Sequence, residues 1–330
     1  MLPRLLDSLD LQAFTDAARQ VPYQQISSEV FPGLDVWVRR DDLIDPLISG
    51  NKAYKLIFNL IEARNQGAKT IVTCGGAWSN HIHAVAAAGA RFGFKAIGII
   101  RGERPAEFSA TLQDAQRFGM ELKFVTRAQY RRRGELDFLR DLGLENEGVY
   151  FVPEGGANLA GVKGVQLLGR VIEETAPVAF DQVWVACGTG ATFAGLYSSI
   201  QNCSVIGVEV LKAADSILNE ACYWVSQAES ALPGGQKTNN HSALAGAERL
   251  TELRKRLLSQ FHFGGYGRYP KELRDFHMGL SFEGVPPFEP VYMLKLLYAL
   301  QKGSGEKELS GGRVLILHSG GLQGRRGFND

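Results

Sequence analysis

The chain has 330 residues, 45% hydrophobic and 22% charged, with a formal net charge of +1. That is the composition of a globular protein long enough for one large domain or two modest ones, each with its own core. The near-neutral balance leaves no electrostatic footprint for nucleic acid or an acidic membrane surface, and the densest basic run, RRRGE at residues 131–135, reads as a solvated helix face. Cys74, Cys187, Cys203 and Cys222 form no CxxC pair and share no spacing, which reads as reduced thiols of a cytoplasmic protein, not a disulfide framework or a zinc site. The opening MLPRLLDSLD is too short and too acidic for a signal peptide, and no apolar run approaches membrane-spanning length.

In chain order, the clearest strands are DVWVRRD (35–41), TIVTCGG (70–76), KAIGIIRG (95–102), ELKFVT (121–126), GVYFVPEGG (148–156), QVWVACGTG (182–190), SVIGVEV (204–210) and RVLILHSGG (313–321). Segments of helical period lie between most of them, such as SNHIHAVAAAGARFG and NLAGVKGVQLLGRVIEE. This alternation predicts an α/β fold of parallel strands joined by crossover helices, and the continuously apolar strands predict sheets covered on both faces. The stretch 226–240, rich in Ser, Gly, Pro and Asn, reads as a surface excursion. Residues 50–161 hold a complete set of βα units and are expected to form a smaller α/β domain, inserted into a larger one built from 1–49 and 162–330. No repeat of solenoid period is present.

Apolar strands end in glycine-containing turns at TCGG, PEGG, ACGTG and HSGG. In open parallel sheets, ligands sit outside the carboxyl ends of strands, where such turns leave N–H groups pointing outward. One such turn is ordinary; their recurrence points to a shared site.

ACGTGATFAG runs from a strand end into a helix. Gly188, Gly190 and the small Ala191 allow close backbone approach, and Thr189 and Thr192 add hydroxyl donors at a helix start. The run lacks the lysine of GxxxxGK[ST] and the spacing of a dinucleotide fingerprint, so a phosphate monoester suits it better than a nucleotide. CGGAWSNHIHAVAAAG has the same grammar. Ser79 and Asn80 are good N-cap types before an alanine-rich helix, and that helix start could take a carboxylate, although simple capping explains it equally. His81 and His83 lie two apart, a spacing that does not suit joint metal ligation from one helix face, and His83 reads as structural.

SGNKAYKLIFNL (49–60) raises a sharper question. Ala53, Leu56, Ile57, Leu60 and Ile61 recur at helical spacing, which puts Lys52 at the first turn of a buried helix, where its charge opposes the helix dipole. A lone lysine there is ordinarily a solvated one. The functional alternative is Schiff-base chemistry, which needs a neutral amine: a shift of ~3 units below the reference ~10.4 corresponds to ~4 kcal/mol against the charged form, and burial beside a positive helix end pushes that way.

The ordered set RRDDL, SGNKAYKL, CGGAWSNH, CGTGATFAG, GGYG, EPVY and HSGG, from Arg39 to Gly321, resembles the fold-type-II pyridoxal-phosphate enzymes, in the branch of D-cysteine desulfhydrase and 1-aminocyclopropane-1-carboxylate (ACC) deaminase. The resemblance is weakest across residues 213–261. It implies two open-sheet, mostly parallel domains of the tryptophan synthase beta type, pyridoxal 5'-phosphate as cofactor, no metal and a homodimer. Carried over residue by residue, Lys52 is the aldimine lysine, Lys55 helps to neutralise the phosphate, and Asn80 bonds the ring 3-hydroxyl. Ser79 sits near the reacting carbon, and the turn through Ser79, Asn80 and His81 holds the substrate carboxylate. Gly188, Thr189, Gly190, Ala191 and Thr192 hold the phosphate, while Tyr266 and Tyr292 line the substrate side; for either tyrosine alone, packing is the plain alternative.

This chain departs from the ACC deaminases at two positions. They carry Glu after the EPVY-type tyrosine, where this chain has Met293, and an apolar residue before the last glycine pair, where this chain has Ser319. Desulfhydrase-type members have a hydroxyl residue at the latter place, which makes Ser319 the expected partner of the pyridine nitrogen. The reading is a lyase carrying out β-elimination on a small amino acid, D-cysteine foremost, with Lys52 or Ser79 moving the α-proton; a hydrolase is the class expected beside it. Cysteate, β-chloroalanine-like amino acids and ACC are rival substrates. A non-catalytic carrier or sensor of the cofactor is the rival of another class, and a nucleotide-binding protein is more distant.

Overall fold

The computed structural model describes residues 8–26, 29–230, 246–280, 284–303 and 312–328. Its strands are β1 (Tyr23–Ile26), β2 (Asp35–Arg39), β3 (Thr70–Gly75), β4 (Lys95–Arg101), β5 (Glu121–Val125), β6 (Val149–Val152), β7 (Gln182–Cys187), β8 (Ser204–Glu209), β9 (Leu257–Leu258) and β10 (Arg313–Leu317). They form a six-stranded sheet of order β1-β2-β10-β7-β8-β9 and a four-stranded sheet of order β5-β4-β3-β6. Every pairing is parallel except β1 on β2. All strands of the smaller sheet fall between Thr70 and Val152, and the larger sheet draws on the chain before and after them.

Eight of these strands are the apolar runs expected from sequence, each shorter at its carboxyl end than the run. The central ones are buried on both faces: β3 and β7 are buried along their whole length after the first residue, as covered parallel strands must be. β1 and β9 carry no such signal. β1 is the polar YQQI at an edge, and β9 is two residues following a charged helix.

Two helices join the sheets. The helix Asn51–Asn65 buries Ala53, Leu56, Ile57 and Leu60 as its period predicts, with Ile61 only partly buried. It lies against the helix Leu159–Thr175, whose Gly164 has no room for a Cβ beside the Tyr54 carbonyl. That close approach is why a glycine stands in the middle of a helix, where it otherwise costs roughly 1 kcal/mol against alanine. The expected excursion at 226–240 is corrected for its first residues, which complete the helix Ser216–Ser230; the rest lies outside the described residues. Among the described residues no helix is long and apolar enough to cross a membrane, and no cluster of His, Cys, Asp or Glu suits a metal ion. The four cysteines are all free.

Candidate active site

The carboxyl ends of β3, β6, β7 and β10 carry the glycine turns, and the structure brings those turns around the start of the helix Asn51–Asn65. Its N-cap is Gly50, at φ +63. The RRDDL motif sets this turn: the Gly50 N–H donates to the Asp41 carbonyl at 3.0 Å, and the Ser49 hydroxyl donates to the Asp42 carbonyl at 3.2 Å. Asp41 is itself buried and held by Tyr54 Oη at 2.7 Å and Arg39 Nε at 3.2 Å. On its other side Gly50 abuts Ser319 and Gly320, where a Cβ would collide with the Ser319 carbonyl. The lysine turn and the last strand's turn are therefore in direct contact.

Lys52 is half-buried, and its Nζ donates to Asn51 Oδ1 at 2.9 Å. Asn51 in turn donates from Nδ2 to Thr192 Oγ1 at 3.0 Å, which ties the lysine turn to the glycine–threonine turn. Burial pushes the Lys52 amine down to about 8, and the Glu289 charge opposes that shift. Lys55 is fully buried one turn on, its Nζ donating to the Gly155 carbonyl of PEGG at 3.1 Å. Its amine is pushed well below the usual lysine range by burial and by Lys52. Neither amine has a carboxylate within ion-pair distance among the described residues.

A buried amine beside a half-buried one, neither with a counter-ion, is expensive unless an anion joins them. The surroundings suit a phosphorylated aldehyde: an amine close to neutrality for the carbonyl, a second amine for the phosphate, and a glycine–threonine turn beside both. Gly190 is left-handed at φ +72, and its Cβ position lies 2.9 Å from the Ile217 carbonyl, so a side chain there is excluded. Thr189 packs on Gly155, whose Cβ position is 3.0 Å from Thr189 Cγ2. Gly188 lies against Tyr292, and Ala191 is fully buried at the start of the next helix.

Ser79 caps the helix Asn80–Phe92 by accepting the Ile82 N–H at 3.3 Å, so the cap expected from sequence is formed. The N–H groups of Asn80 and His81 precede the first intrahelical bond and remain free of helix partners. The His81 ring is buried, with Nε2 2.9 Å from Thr73 Oγ1 and Nδ1 unpartnered. Burial and the two lysine charges hold it neutral. His83 sits 3.5 Å from Asp114 and edge-on to Phe118, away from the lysines, in keeping with its structural reading. The Asn80 side chain packs on Gly321 and accepts from Gln323 Nε2 at 3.0 Å.

The tyrosines meet. Tyr266 and Tyr292 contact edge to face at 6.4 Å between centroids, and Tyr266 Oη donates to the Trp78 carbonyl at 2.7 Å, in the same turn as Ser79. Met293 is fully buried, and the Ser319 N–H donates to its Sδ at 3.4 Å, so the two departures from the ACC deaminase pattern adjoin.

Two residues that the sequence reading passed over hold these tyrosines. Glu289, the acid of EPVY, accepts N–H bonds from Val291 at 2.6 Å, Tyr292 at 3.0 Å and Met293 at 2.9 Å, and burial raises its carboxyl to about 7. Its signal was an acidic residue just ahead of an apolar helix. Lys295 is fully buried and donates to the carbonyls of Val210 (3.1 Å), His262 (3.1 Å) and Gly265 (2.7 Å), pinning the turn that bears Tyr266 to the helix that follows Tyr292.

Residues 15–236 match the family of pyridoxal-phosphate dependent enzymes. A Pyrococcus abyssi protein bearing a provisional ACC deaminase name is 29% identical over 308 residues, covering 91% of this chain and 88% of its own. A D-cysteine desulfhydrase of Yersinia pestis is 29% identical over 302 residues, covering 88% and 87%. A solved structure, described as an ACC deaminase homologue, superposes with a TM-score of 0.76 at 26% identity, over 92% of this chain and 90% of that one. These relatives favour a lyase, which corrects the hydrolase expectation. The chain belongs to the pyridoxal-phosphate dependent enzymes, as a fold-type-II member of the ACC deaminase and D-cysteine desulfhydrase family, and pyridoxal phosphate is its cofactor.

Proposed function

We propose that the protein is a lyase that removes the β-substituent of a small amino acid, with D-cysteine the foremost substrate and pyruvate, ammonia and sulfide the products. The observation that carries this reading is the buried Met293 beside Ser319, a thioether and a hydroxyl where the ACC deaminases are expected to set a carboxylate and an apolar residue. Pyridoxal phosphate, when bound, supplies the electron sink for charge developing at Cα. A serine hydroxyl can bond an unprotonated ring nitrogen, which leaves that sink weaker than a carboxylate would. Departure of a thiol asks less of the sink than opening a cyclopropane does.

Lys52 would hold the cofactor covalently, and once freed by the incoming substrate its amine, near neutrality, would be equipped to take the α-proton at Nζ from one face. Ser79 Oγ keeps its own proton after capping the helix and serves the other face. The free N–H groups of Asn80 and His81 would receive the substrate carboxylate, and the Asn80 amide would bond the ring hydroxyl. Lys55 and the turn from Gly188 to Thr192, with Thr189, Gly190 and Ala191, hold the phosphate. Tyr266 and Tyr292 close the substrate side and exclude water.

ACC deamination is the second reading, favoured by the name of the Pyrococcus relative. Residues 50–161 as the smaller domain, a homodimer and a cytoplasmic location are proposed alongside; sheet membership supports the first. The test is pyruvate release from D- and L-cysteine, D- and L-cysteate and β-chloroalanine, with ammonia release followed for ACC. Pyruvate from D-cysteine supports the proposal, and turnover of ACC alone replaces it with the second reading. Cofactor binding without turnover of any of them would make the protein a carrier.

A further inference from the structure

The last strand of the larger sheet, β10, runs through the HSGG turn into the short 3-10 helix Leu322–Gly327, which meets the start of the helix Asn80–Phe92. Two glycines make that approach possible. Gly320 is left-handed at φ +75, and a Cβ on it would stand 2.5 Å from Ser49 Oγ and 2.9 Å from the Gly50 nitrogen, against the lysine turn. Gly321, at φ +85, meets Asn80 instead, and a Cβ there would collide with Asn80 Nδ2. The segment is fastened at its far end, where Arg326 pairs with Asp114 of the helix Ala110–Arg117 and Gly327 abuts the Trp78 ring. Gln323 is fixed between these ends. Its carbonyl accepts from Arg326 Nε at 3.0 Å, and its own Nε2 donates to Asn80 Oδ1 at 3.0 Å.

That last bond decides more than packing. The two ends of a carboxamide have nearly the same shape, but one donates and the other accepts, so the partner of one end sets what the other end offers. With Oδ1 taken by Gln323, Asn80 keeps an Nδ2 group that donates to no acceptor among the described residues. The oxygen of a ring hydroxyl is suited by such a donor, because a bond from N–H favours its ionised form over its protonated one. Plain packing of a half-buried glutamine is the alternative, and it asks for no particular orientation of the amide.

We infer that Gln323 is a positioning residue, which holds the Asn80 carboxamide with its NH2 group turned to the cofactor's ring hydroxyl. The inference rests on the proposed contact between Asn80 and that hydroxyl, and it names the residue that makes Asn80 a donor there.

The experiment loads the wild type, Gln323→Leu, Gln323→Glu and Gln323→Lys with pyridoxal phosphate, each with and without Asn80→Ala. It reads the absorption band of the loaded protein, and the cofactor's dissociation constant by equilibrium dialysis. An ionised ring oxygen absorbs at longer wavelength than a protonated one, so the band reports what Asn80 presents. A leucine leaves the amide free to turn, a glutamate accepts and turns it over, and a lysine donates and keeps it in place. Gln323→Leu should weaken cofactor binding about 3- to 10-fold, as loss of one neutral hydrogen bond does. Gln323→Glu should weaken it further and move the band to shorter wavelength, while Gln323→Lys holds the wild-type band. Combined with Asn80→Ala, all three should share one band, since a residue acting through Asn80 has nothing left to act on. A band that stays put in Gln323→Glu, that moves as far in Gln323→Lys, or that still moves once Asn80→Ala is present would overturn the inference and leave Asn80 its role. Asn80→Ala with the wild-type band and affinity would overturn that role and the inference together.

Discussion

The Ser319 N–H donates to Met293 Sδ across 3.4 Å, which joins the two positions at which this chain departs from the ACC deaminase pattern. Met293 begins the helix Met293–Gly303, and Ser319 follows β10, so the contact couples two separate elements at one point. Ser319→Ala should lower the elimination rate without releasing the cofactor, because both lysines and the phosphate turn remain. The comparison of kcat with cofactor retention by absorbance checks this. Met293→Glu alone should not yield efficient ACC turnover, since it buries a carboxylate among apolar neighbours. A wild type that deaminates ACC as fast as it degrades D-cysteine would refute the role given to this pair.

Gly50→Ala should be among the most damaging small substitutions. Its φ of +63 is strained for alanine, and the new methyl would run into the Ser319 carbonyl. Strain of this kind costs about 1–3 kcal/mol before any collision is counted. Urea unfolding should show a loss of at least that size, and the cofactor should bind more weakly because the lysine and serine turns separate.

Lys55→Met should weaken cofactor binding while sparing the chemistry that remains. Lys55 is the buried amine nearest the PEGG turn, and loss of one charge-assisted bond is worth about 1.5–3 kcal/mol. Equilibrium dialysis of pyridoxal phosphate should therefore show an affinity lower by about 10- to 100-fold. Unchanged affinity would place the phosphate elsewhere.

The amine of Lys52 lies near 8 and not at the usual lysine value. In the cofactor-free protein, its rate of reaction with pyridoxal should rise through about pH 8 and then level off. The unfolded chain still binds that proton between about 8 and ~10.4 while the folded one does not, so this group makes stability rise with pH across that window. Glu289→Gln should move the rise to lower pH, because the Glu289 charge is what holds the amine up. A profile centred near pH 10 would contradict the burial of this lysine.

The strand and helix order was legible because covered parallel strands read as apolar runs and several end in glycine turns. The lysine turn and the two glycine turns proposed for phosphate and carboxylate stood out in the sequence because each is a local run with its own chemistry, and the structure brings them together. Lys295 was not. In MLKLLYALQKG it looks like a lysine on the polar edge of an apolar helix, and only the fold shows three carbonyls from distant segments converging on it. The edge strands β1 and β9 were missed because pairing, not hydrophobic pattern, defines them.

Lys52, among all the lysines, is assigned the covalent bond to the cofactor, and borohydride reduction of the loaded protein followed by fragment-ion sequencing tests that assignment most directly. The expected result is a single pyridoxyl group on Lys52, with Lys55 unmodified. A pyridoxyl group on Lys55, or none on either residue, would contradict it.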